Sequence, residues 1–150
     1  MLIRAEKPRV GRLAPLLLSA LLGSALAAPA PDAAFDRTAT CVAAMKRKAN
    51  VLSDIYRAGD DSVKGELTSL TEAGFAFIGS AYEAGLRKEE ADRRMAAAEE
   101  RLESIPAAEL ALLVTACRTE GADILANSNA LERALVKNAA RTRVNRLREK

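Results

Sequence analysis

Six carboxylates crowd one short stretch, "RKEEADRRMAAAEERLE": Glu89, Glu90, Asp92, Glu99, Glu100 and Glu103. Paired carboxylates are the minimum for hydrolysis without a metal, one as acid and one as base or nucleophile across a cleft. Here they alternate with Arg and fall off the apolar stripe of the segment, and Glu90 stands four residues before Arg94, the spacing of a helical ion pair. That patterning reads as a solvated helix face rather than a catalytic dyad.

The other chemistries are narrowed by one absence. The chain contains no histidine, which removes Ser-His-Asp and Cys-His hydrolysis, His-ligated zinc and His-ligated haem. No phosphate-cradling glycine motif is found, and no D-x-[DN]-x-[DN]-G loop offers a calcium site. The sequence therefore predicts a protein that is not an enzyme, with no cofactor and no metal. A cell-envelope hydrolase using paired carboxylates, or a carrier of small apolar ligands, are the alternatives.

Two cysteines remain, Cys41 and Cys117. Without a C-x-x-C spacing, a thioredoxin-like role is not indicated. Their use as a disulfide depends on the compartment, and the first thirty residues address that. "MLIRAEKPRVGR" is basic, "LAPLLLSALLGSALA" is uncharged, and Ala25 and Ala27 precede "APAPDAA". A basic start, an apolar middle and small residues at −3 and −1 describe a secretory signal peptide. We expect residues 1–27 to be that leader, with cleavage after Ala27, residues 28–33 to be a linker, and 34–150 to be one helical domain. The destination would be the bacterial periplasm or the exterior, where a Cys41–Cys117 disulfide can form.

Export also changes the charge balance. The chain is +3 overall, but the leader alone carries that excess, and the remainder is neutral. What is left is uneven. Residues 130–150, "ALERALVKNAARTRVNRLREK", hold seven Lys or Arg against two acids. On a helix, Arg133, Lys137, Arg141 and Arg148 fall on one stripe, which makes them candidate partner-binding residues. An acidic protein or an anionic envelope component would fit. No aromatic residue follows Tyr82, so base stacking is ruled out for this tail and nucleic acid is not the expected partner. Leu131, Leu135 and Ala139 form one apolar row, and Val136, Ala140, Val144 and Leu147 a second that could dock on the rest of the chain. The oligomeric state is not legible.

The elements that must carry these residues read as all-α. Ala is abundant, Trp is absent, and runs of β-branched residues are missing. Apolar spacings of three and four predict a helix over 34–57 with stripe Cys41, Val42, Met45, Ala49, Leu52, Ile55 and Tyr56. A second helix follows the caps at 60–62, with stripe Val63, Leu67, Leu70, Gly74, Phe77, Ile78, Ala81 and Tyr82, and Gly85 ends it. Gly74 and Gly79 inside it suggest a close backbone neighbour. A third helix spans about 88–104. A fourth opens at Pro106, with stripe Leu110, Leu113, Cys117, Gly121 and Ile124. Asn129 and Glu132 resemble a capping box for a fifth, about 130–147; the alternative is one unbroken helix through the pair. The fold expected is an up-down bundle of four helices plus a basic C-terminal helix or extension, stapled by one disulfide. At 1.5 Å per residue, Cys41 and Cys117 would lie at about the same height, near 10 Å, in antiparallel first and fourth helices. The tail must then overhang or fold back.

The function expected is that of a small exported, non-enzymatic protein that binds another protein, through the basic tail and the Gly/aromatic surface around Phe75–Tyr82.

Overall fold

The computed structural model describes residues 31–149. All regular structure among these residues is helical: α1 Pro31–Arg57, a single 3-10 turn Asp61–Val63, α2 Lys64–Glu83, α3 Lys88–Glu103, α4 Ala107–Asn127 and α5 Ala130–Asn145. The leader and the start of the linker lie outside the described residues. The end of the expected linker does not hold, because α1 already begins at Pro31. A proline suits the first helical position, where its missing N–H has no partner to lose.

The helix ends follow local chemistry. Gly59 and Gly85 adopt φ of 106° and 101°, a left-handed conformation that costs glycine little. Each closes its helix in the same way. Asp60 N–H donates to Ile55 and Gly59 N–H to Tyr56, while Leu86 N–H donates to Ala81 and Gly85 N–H to Tyr82. This paired pattern satisfies carbonyls that a helix end would otherwise leave open. Leu86, just past the second turn, is buried and anchors it. Asp60 caps the 3-10 turn, accepting from Ser62 N–H at 2.9 Å. Pro106 stands one position outside α4, its carbonyl accepting the bond from Leu110 N–H.

The unbroken fourth-and-fifth helix is not what forms. Ser128 and Asn129 are both extended, with ψ of 163° and 166°. Asn129 accepts from Glu132 N–H, and the Glu132 carboxylate accepts from Asn129 N–H. This reciprocal cap satisfies two donors at the start of α5.

Packing centres on α1 and α2. α1 lies against α2, α3 and α4, and α2 lies against α1, α4 and α5. The core joins Cys41, Met45, Leu52 and Tyr56 of α1 to Leu67, Leu70 and Phe77 of α2, Leu102 of α3, Cys117 of α4 and Val144 of α5. A helix with neighbours on several sides must bury more than one stripe. On α1 the additional faces are small: Ala39, Ala43 and Ala44 are all buried. Ile55, Ile78 and Tyr82, placed on core stripes by periodicity, are instead substantially exposed.

Cys41 and Cys117 are joined, with Cα atoms 5.2 Å apart. One turn away, Arg37 of α1 meets Glu120 of α4 at 2.8 Å. Residue numbers rise on α1 as they fall on α4 between these two pairs, the step of antiparallel helices. Between α1 and α3 they rise together, from Asp36–Arg94 to Lys46–Glu99.

The close approach expected at Gly74 or Gly79 occurs elsewhere. A Cβ built on either meets nothing within 4 Å, whereas one on Gly121 would fall 2.7 Å from Ala73 Cβ. Gly121 is thus what lets α4 lie against α2.

Candidate functional site

The basic segment folds back as α5 and packs on α2. Its second apolar row does the docking: Ala140 and Val144 are fully buried, and Leu147 is partly buried against the core. The first row faces outward. Leu131 is 69% exposed and Leu135 59%, and Ala139 beside them is exposed. An amphipathic helix normally hides its leucines, so two on the open side of a docked helix form the most distinctive apolar feature of the tail.

The four basic residues proposed from the sequence are not brought together as one stripe. Arg133 turns back across the α4–α5 junction and donates to the carbonyls of Ala126 and Ser128. It satisfies the open end of α4 and so serves the fold. Arg148 lies beyond the end of α5, so a helical projection misplaces it. Its guanidinium stacks 4.2 Å from the centre of the Tyr56 ring, donates to the Tyr56 carbonyl, and pairs with Asp61 at 3.0 Å. Lys137 and Arg141 remain on the exposed surface. Arg141 donates only to the Lys137 carbonyl, and neither residue meets a carboxylate among the described residues. Leu131 and Leu135 thus share the outward face of α5, while Lys137 and Arg141 lie around its flank, Lys137 at a hollow lined also by Glu72 and Ala126.

The Gly/aromatic surface splits. Phe77 is in the core, Phe75 is half-buried, and Tyr82 is 45% exposed.

Three of the six α3 carboxylates are held in ion pairs, while Glu89, Glu100 and Glu103 stand exposed. Asp92 pairs with Lys88 and Glu99 with Lys46. Glu90 joins a cluster that sequence reasoning saw only in part. Arg94 holds Glu90 on its own helix and both Asp32 and Asp36 on α1, at 2.6 to 2.7 Å. Its guanidinium also lies over the Phe35 ring. The hydrogen bonds it donates to Glu90, Asp36 and Asp32 hold Arg94 more firmly protonated than usual. A signal existed: Asp32 and Asp36 share the spacing that puts two carboxylates on one helix face. What sequence could not supply was that α3 would present an arginine to them. Among the described residues, no group of three or more Cys, Asp or Glu side chains could hold a metal ion.

Matched against protein-family models, curated proteins and solved structures, the chain finds no counterpart in any of the three.

Proposed function

We propose that this chain is an exported, non-enzymatic binding protein whose outward α5 face docks on an acidic protein partner. The observation that carries the proposal is the exposure of Leu131 and Leu135, on a helix whose flank carries Lys137 and Arg141, which lack carboxylate partners among the described residues. Apolar anchors give a contact its affinity, and unpaired cations around them favour an acidic surface and speed encounter with it. The export half rests on the leader-like first 27 residues and is compatible with the disulfide-bonded cysteines. No described helix is long and apolar enough to cross a membrane. The alternating up-and-down course of the first four helices belongs to the proposal too; the opposed step of the α1–α4 pairs supports it. A carboxylate hydrolase is less favoured, since Glu90 and Glu99 are committed to Arg94 and Lys46.

The test is affinity capture from an envelope extract with the purified, oxidised protein. A defined acidic companion should be retained by the wild type. It should be lost with Leu131→Asp/Leu135→Asp and weakened by Lys137→Glu/Arg141→Glu. Capture unaffected by both variants would reject the α5 face. N-terminal sequencing of the exported protein should start at Ala28, and a start at Met1 would reject export.

A further inference from the structure

The geometry points to a second binding site: a groove between α1, α2 and the end of α5 that takes a single-chain amphiphile with an anionic head, a long-chain carboxylate. The groove encloses about 560 Å³, within the roughly 300–1,000 Å³ of ordinary ligand sites. Its α1 wall runs from Val42 to Arg57, about 22 Å along the helix.

The floor is apolar, with Met45, Leu67, Leu70 and Val144. Two hydroxyls reach it, but Ser53 donates to the Ala49 carbonyl and Thr71 to the Leu67 carbonyl. The floor therefore has little hydrogen bonding to offer water, which suits a hydrocarbon chain. Lys46, Asn50, Asp54, Arg57 and Arg143 supply polar and charged groups along the lining. Lys46 is held by Glu99 and Asp54 by Arg57. Arg143 meets no carboxylate among the described residues. It lies where this groove continues into a second hollow lined by Arg57, Asn138, Thr142 and Arg146. An apolar floor with Arg143, unpaired among the described residues, in its lining matches a head-and-tail ligand.

Gly74 offers a handle on the groove. It sits inside α2 on the groove wall, where glycine weakens a helix. No neighbouring backbone requires it, because a Cβ there would meet nothing within 4 Å. A larger side chain at this position would enter the groove.

The test is a fluorescence titration of the oxidised full-length protein with cis-parinaric acid, run beside its methyl ester. The acid should bind saturably, and the ester more weakly by about tenfold. Gly74→Leu should fold and yet lose about tenfold or more in affinity, and Arg143→Glu should weaken the acid alone. Should Gly74→Leu fail to fold, Ala49→Leu on the opposite wall reports the same loss. Absence of saturable binding, or wild-type affinity in the wall variants, would overturn the site. Equal binding of acid and ester would overturn the anionic head. Leu131 and Leu135 lie outside the groove, so this site and the α5 face succeed or fail separately.

Discussion

Gly121 of α4 and Ala73 of α2 pack with no room for a side chain between them: a Cβ on Gly121 would stand 2.9 Å from both the Cα and the carbonyl oxygen of Ala73. Real Cβ atoms do not sit that close to backbone, so one helix would have to move. Gly121→Ala should cost about 1–3 kcal/mol despite the better helix propensity of alanine. The same change at Gly74, which faces open space, should stabilise by about 0.5–1 kcal/mol. Urea unfolding of the two variants should shift the midpoint in opposite directions.

The disulfide closes a separation of 76 residues. Chain entropy alone then gives it about 4 kcal/mol. Cys41→Ala/Cys117→Ala should lower the urea midpoint accordingly, and reductant should shift the wild type but leave the variant unchanged.

Arg94 ties the start of α1 to α3 through three carboxylates. Its replacement by Ala leaves Asp32, Asp36 and Glu90 repelling one another. Hydrogen exchange should quicken over the first turns of α1 and change little in α4. Lys should rescue only in part, because a compact ammonium cannot spread its donors over three acceptors as a guanidinium does.

Asp60 supplies a pH dependence. Hydrogen bonds from the side chain and the backbone N–H of Ser62 hold its carboxyl below the ordinary 3.8. The folded state thus favours the charged form. The stability it adds is complete above that ordinary value and is lost as pH falls through the lower folded one. Asp60→Asn keeps a capping oxygen and should flatten the fall of the urea midpoint below about pH 4.

Arg133 and Lys137 should separate fold from surface. Arg133→Ala removes hydrogen bonds to Ala126 and Ser128 and should cost about 1 kcal/mol. Lys137→Glu should stay within about 0.5 kcal/mol of the wild type. Thermal melts of the two variants suffice.

Much of the helical layout could be read from local signals. Gly59, Gly85, Pro106 and the Asn129–Glu132 box act over a few residues, so they mark boundaries without knowledge of the fold. The cysteine pairing was legible because the chain has only two cysteines and a leader-like start; the equal heights from helix lengths agree with it but fit a parallel pair of helices as well. Faces were harder. Periodicity assigns one buried stripe per helix, but α1 has three helical neighbours, so Ala39, Ala43 and Ala44 went unrecognised and Ile55 was placed inside. Gly74 and Gly121 look alike in sequence, and only the position of Ala73 tells them apart. The basic tail misled for a related reason. Its charges share a composition but not a task, and the ones that turn inward, Arg133 and Arg148, do so toward carbonyls and a ring that no local pattern announces.

The bridge between α1 and α4 also decides how the molecule would respond to force. Tension applied at the two ends passes from Cys41 to Cys117 through the sulfurs, and the helices between them carry no load. Only the opening of α1 and the end of α4 with α5 could be drawn out. Reduction would add the hidden segment to the extension, roughly 260 Å for 76 residues at full stretch. A single-molecule pulling trace would read the oxidation state of the chain directly as a length.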